Sequence, residues 1–137
     1  MINVGHWTLN IELIQMRDNE ILKLSKAFAL RIIRMAEYLF KTYQYNRVVD
    51  ILGKQVLRSG TSICANITES ENAQSTNDFI SKLTIALKEA DETKTWLELL
   101  HESDYLSDES FDSIYDDNEK IRAILIKIIK SLKKKKE

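Results

Sequence analysis

Apolar positions recur at spacings of three and four along most of this chain, the period of helices that bury one face. The pattern predicts four helices. The first runs from about Asp18 to Tyr43. Ile21, Leu24, Phe28, Ile32, Met35 and Leu39 form one stripe, and Leu22, Ala29, Ile33, Ala36 and Phe40 form a second beside it. Together they are wider than one bundle seam requires, which suits either a well-buried helix or one that also meets another subunit. The second helix spans 47–70 with Leu52, Val56, Ser59, Ile63 and Ile67 on its inner line. Gly53, Ser59, Gly60, Thr61, Ser62 and Ala65 keep it slim. Glycine inside a helix costs roughly 1 kcal/mol relative to alanine, so Gly60 predicts close approach of a neighbouring backbone. The third helix, 76–103, opens on a capping-box pattern, Ser75-Thr76-Asn77-Asp78. Its seam is Phe79, Leu83, Ala86, Ala90, Thr93, Leu97 and Leu100. The fourth, 108–134, takes Ser107 as its N-cap and repeats Phe111, Ile114, Asn118, Ile121, Leu125, Ile128 and Leu132.

Residues 1–17 read differently. Trp7, Leu9, Ile11 and Leu13 alternate with more polar residues, which predicts a short strand or an extended arm. No other segment offers a strand partner, so an arm packed on a neighbouring element is the preferred reading. The short links between helices predict antiparallel neighbours. The expected fold is all-α, a single-domain, up-down-up-down four-helix bundle over residues 1–137.

Composition fits this picture: 137 residues, no proline, three glycines, 44% hydrophobic and 30% charged. No apolar run approaches the ~20 residues of a membrane span. The first twenty residues lack a basic region followed by an apolar block, so no secretory signal is expected. The lone cysteine, Cys64, suggests a reducing cytoplasm. A net charge of -1 argues against a strongly basic nucleic-acid protein. The charge is unevenly spread, however: 102–119 is rich in Asp and Glu, and the last eleven residues hold six lysines. This either complements the dipole of the last helix or makes a basic tail that touches RNA or another subunit. The candidate contacts are Lys130, Lys133, Lys134, Lys135 and Lys136, with Arg47, Lys54 and Arg58 behind them.

Motifs for catalysis or metal binding are nearly absent. The two histidines, His6 and His101, are far apart, and no His or Cys cluster has ligand spacing. Glu98-Leu99-Leu100-His101 has the di-iron Glu-x-x-His spacing once, where a bundle site needs a facing pair. There is no glycine-rich phosphate loop and no nucleophile elbow. No enzyme activity, cofactor or metal is therefore expected. Cys64 reads as a small buried residue. Asn66-Ile67-Thr68, on a helix, matches a glycosylation acceptor by chance. Gln55, Arg58, Ser62, Asn66 and Glu69 recur at spacings of three and four and so share one face of helix two. That stripe is either a solvated face or a network buried against helix three, with Arg58 paired to Glu89 or Glu69.

Two stretches also carry a family likeness. Gln55-Val56-Leu57-Arg58-Ser59, followed by Ser62-Ile63-Cys64-Ala65-Asn66-Ile67-Thr68-Glu69-Ser70, resembles the signature of the bacterial four-helix bundle proteins, also called 23S ribosomal RNA intervening-sequence proteins. Their pattern is Q-L-R-R-A, then S-I-P-A-N-I-A-E-G. Asp78-Phe79-Ile80, Ala86-Leu87-Lys88-Glu89-Ala90 and Trp96-Leu97-Glu98-Leu99-Leu100 look like the following helix, and the likeness covers about 18–130. Cys64 replaces the usual proline, which restores a backbone donor and relaxes any kink. Ser70 replaces a glycine, weakening the helix stop, and Thr68 an alanine. The resemblance implies a helical bundle that assembles as a ring-like homopentamer. Some relatives are encoded inside inserts of large-subunit ribosomal RNA genes. A related branch, the accessory variability determinants of diversity-generating retroelements, binds nucleic acid and a reverse transcriptase through basic surfaces. The partners so implied are further copies of the chain, RNA or a ribonucleoprotein. The alternative is an adaptor that binds only protein, such as a nucleic-acid enzyme; no membrane is expected among the partners.

Overall fold

The structure is a computed structural model that describes the backbone of residues 4–136 and the side chains of residues 20–134. The chain forms α1 (Val4–Thr42), α2 (Arg47–Ser70), α3 (Thr76–Glu102) and α4 (Asp108–Lys136), with no strand among the described residues. It is an all-α four-helix bundle. Each helix packs on its neighbours in order, α1 on α2, α2 on α3 and α3 on α4, and α4 closes back on α1. Links 43–46, 71–75 and 103–107 are too short to cross the bundle, so each reverses the chain. Tyr43 and Tyr105 meet edge-to-face at 5.1 Å, tying the first and third links together at one end. The opposite end therefore holds the start of α1, the α2–α3 link and the last turns of α4.

Side-chain caps start three of the helices. Asn46 Oδ1 accepts from the Val49 N–H at 3.1 Å, Ser75 Oγ from Asp78 at 3.0 Å, and Ser107 Oγ from Ser110 at 3.1 Å. Each satisfies a donor that the first helical turn leaves unpaired. Within the first and third links Tyr45 and Asp104 take φ 67 and 65. Aspartate tolerates this left-handed region; tyrosine is uncommon there.

The core is continuous along the bundle. Ile21, Phe28, Ile32 and Leu39 of α1, Val56, Ile63 and Ile67 of α2, Leu83 and Leu97 of α3, and Ile121 and Leu125 of α4 are all buried. Each such side chain contributes about 1.5–3 kcal/mol by leaving water. The second stripe of α1 is only partly interior: Ala29 and Ala36 are buried, Leu22, Ile33 and Phe40 half-buried.

Two expectations change here. Residues 4–17 are neither strand nor extended arm: they are the first turns of α1, while residues 1–3 lie outside the described residues. Besides alternating, Val4, Trp7, Ile11 and Ile14 recur at spacings of three and four, and without a sheet edge to pair with, the helical period prevails. Gly60 is also crowded by a side chain and not by backbone. A Cβ there would sit 2.9 Å from both Cγ atoms of Ile32, and one on Gly53 would sit 2.6 Å from Phe40 Cε1.

Candidate interaction surfaces

The polar stripe of α2 lies along the outer edge of the α2–α3 interface. Arg58 reaches across to Glu89 at 3.4 Å and to Glu92, and its Nε points to Gln55 Oε1 at 3.4 Å. Glu92 Oε1 also accepts from the Trp96 indole at 3.2 Å. The ribbon is not a buried network. Arg58 keeps 48% of its side-chain exposure, Glu92 36% and Glu89 20%. Helical spacing places these residues on one face, and the antiparallel contact turns only the rim of that face toward α3. Glu69 is not a partner of Arg58: it pairs with Lys82 at 3.0 Å. Ser62 and Asn66 turn back on their own helix, bonding the carbonyls of Arg58 (2.7 Å) and Ser62 (2.8 Å).

The electrostatics follow from this geometry. The hydrogen bond from Arg58 is the main influence lowering the Glu92 pKa, and the same bond raises that of Arg58. Glu89 moves the other way: its partial burial outweighs the more distant Arg58 and raises its pKa. Arg58 is therefore held by two carboxylates and is a poor candidate for a free cationic contact.

The other proposed contacts stand differently. Arg47, Lys54, Lys130, Lys133 and Lys134 are exposed, and none makes an ion pair among the described residues. The side chains of Lys135 and Lys136 lie outside the described residues, although both sit in the last turn of α4. By contrast Arg31 is bound to Asp117, and Arg122 to Asp91 (2.6 Å) and Glu119 (3.0 Å). The acids of early α4 thus serve partly as clamps between helices.

Sequence reasoning missed the polar groups inside the core. The hydroxyls of Ser59 and Thr93 lie 2.9 Å apart between α2 and α3. Asn118, fully buried, donates to the Ala90 carbonyl at 3.0 Å, and its Oδ1 finds no partner among the described residues. Their seam positions were visible; their burial as polar groups was the unread signal. Cys64 is half-buried. His101 stacks on Phe111 at 4.1 Å and meets Asp108 at 2.7 Å, at the exposed C-terminal end of α3. A groove of about 470 Å³ between α1 and early α4 is lined by Met35, Tyr38, Leu106 and Ile114 with Arg31 and Arg34; no carboxylate, imidazole or thiol lines it. Among the described residues no His, Cys, Asp or Glu group could hold a metal ion, and no helix is long and apolar enough to cross a membrane.

The four antiparallel helices carry the signature stretch on α2 and its companion on α3. The model of the 23S rRNA-intervening sequence protein family matches residues 17–127. The chain belongs to this family. A solved relative shares the fold: a protein of unknown function from the S23 ribosomal protein family of Bacteroides thetaiotaomicron VPI-5482, 47% identical. The match covers 83% of this chain and 98% of that one, with a TM-score of 0.78. No curated protein matches. In this intervening-sequence protein Ser59, Ile63 and Ile67 of the signature are buried, while Gln55, Arg58 and Glu69 line the α2–α3 rim. The signature thus combines interior packing with a surface ribbon.

Proposed function

We propose that this member of the family is a non-enzymatic, cytoplasmic, homo-oligomeric bundle that binds RNA or a ribonucleoprotein. The observation that carries the binding clause is the cluster of exposed cations Lys130, Lys133 and Lys134 on late α4, gathered within about one helical turn and free of carboxylate partners among the described residues. Ammonium groups already held by carboxylates would have to give them up to meet phosphate; these do not. The family name, which refers to ribosomal RNA, supports the same reading. A groove lined by no carboxylate, imidazole or thiol and the absence of a candidate metal cluster among the described residues favour binding over catalysis.

Retention of a ribosomal RNA fragment is measured at about 50 and 200 mM salt. Phosphate contacts make binding fall steeply over that range, with log K losing about 0.9 per contact for each decade of salt. No retention at the lower salt removes the RNA clause. Light scattering for mass tests the oligomer clause separately.

A second reading, a protein-only adaptor, is favoured by a particular patch. Seven residues back from Arg58 is Ile51, and seven forward from Glu92 is Leu99, so the two lie level across the α2–α3 rim. Both are exposed, as is Val48. Co-purification of a protein without nucleic acid would favour this reading.

A further inference from the structure

We propose that the first turns of α1, residues 4–16, form a helical seam that pairs with the same segment of a second copy of this chain. The inference rests on the self-association proposed above and names the element that strengthens it.

The seam is continuous with the bundle's own. Val4, Trp7, Ile11 and Ile14 extend, across Asp18, the line Ile21, Ser25, Phe28, Ile32, Met35 and Leu39 in unbroken three-and-four spacing. From Ile21 onward that line is the buried face of α1, with Met35 half-buried. Sustained spacing of this kind is the mark of a helix that meets another helix. Yet α2 has ended by this point. Gly60 faces Ile32, and ten residues further along α2 is Ser70, its last residue, level with Leu22 of α1. On the other side, Arg31 faces Asp117, and nineteen residues further on Lys136 of α4 is level with Glu12. The helical backbone of residues 4–11 therefore runs past the ends of both neighbouring helices.

Charge narrows the occupant. Residues 1–16 hold one charged side chain, Glu12, in a chain that is 30% charged. A helix that rides on an anionic membrane carries Lys and Arg on its polar face, and one that follows nucleic acid needs cations for phosphate; this segment has neither. An identical segment presents the same spacing and almost no like charge to oppose it. The segment also lies outside the family match, which begins at residue 17. The shared bundle accordingly does not depend on it, and 98% of the solved relative is matched by only 83% of this chain. Thirteen residues of helix span about 20 Å. At a helix width of about 10 Å its face presents on the order of 200 Å², short of the ~800 Å² per partner typical of stable complexes, so the segment reinforces contacts between bundles and does not replace them.

Light scattering across a concentration series compares the full chain with its Trp7→Glu/Ile11→Glu and Trp7→Leu/Ile11→Leu variants, with circular dichroism as a check on folding. The glutamate pair is expected to need at least tenfold more protein to assemble, and the leucine pair to match the parent. If the glutamate variant is folded and assembles within twofold of the parent, the proposal is overturned while self-association stands. If the parent stays monomeric throughout, both fall. A monomeric parent that sediments with phosphatidylglycerol vesicles would assign the segment to lipid instead, and likewise overturns the proposal.

Discussion

Asn118 and Gly60 show how single residues set the terms of packing. Asn118 donates to the Ala90 carbonyl but leaves a buried oxygen without a donor, and an unsatisfied buried acceptor costs about 1–3 kcal/mol. Leucine has nearly the same shape and removes that cost. Asn118→Leu should therefore raise the urea midpoint, by about 1–3 kcal/mol of stability; an unchanged or lower midpoint would show that the amide contributes more than its geometry implies. Gly60 works through space. An added methyl would press on both Cγ atoms of Ile32, a β-branched side chain with little room to turn. Gly60→Ala should lose about 1–3 kcal/mol to overpacking, offset by up to ~1 kcal/mol of helix propensity. Ile32→Ala in the same chain should cancel much of the clash. A double-mutant cycle from denaturant melts measures the coupling, and additive effects would contradict the contact. The sequence made crowding at Gly60 legible, because glycine inside a helix needs a reason. It could not name Ile32, because pairing across helices depends on a register that no local pattern encodes.

Among the elements, the α2–α3 ribbon links geometry to pH. Because Arg58 lowers the Glu92 pKa, the stabilisation from Glu92 is in full force above the ordinary carboxylate range and disappears as pH falls through the depressed value. Burial raises the Glu89 pKa, so ionised Glu89 opposes folding at neutral pH and acid relieves it. Glu92→Gln should lower the melting temperature at pH 7 and flatten the acid limb; Glu89→Gln should leave it unchanged or raise it. The exposure of the ribbon limits each effect to about 0.2–1 kcal/mol. Melts at pH 7 and pH 3.5 separate the two variants, and equal losses at pH 7 would refute the asymmetry. How far the elements were legible follows from the same physics. Stripes such as Phe79–Leu83–Ala86–Ala90 announce a helix because burial on one side imposes its period, and Ser75 and Ser107 announce where helices begin. Spacing puts Gln55, Arg58 and Glu69 on one face but does not say whether that face is covered, which is why a solvated face and a buried network both stayed open and the half-open ribbon lies between them. At residues 4–17 two periods coexist, and only the missing sheet partner decides between them.

At the scale of the molecule, three reversals bring the start of α1 and the lysines of α4 to one end, and gather the acids of early α4 at the other. If the lysines contact phosphate, replacing Lys130, Lys133 and Lys134 by glutamine should weaken RNA retention at low salt and reduce the slope of log K against log salt by up to about 2.7. A parent and variant with equal slopes would show that these cations take no part. The same division of α4 shapes how the protein meets any charged material. Asp112 and Lys133 stand about 30 Å apart along one rod, which gives a nearly neutral particle a large permanent electric moment. Its isoelectric point of about 6.2 is then a poor guide to chromatography: at pH 7 it should be retarded on both quaternary-amine and sulfonate resins, each gripping the opposite pole.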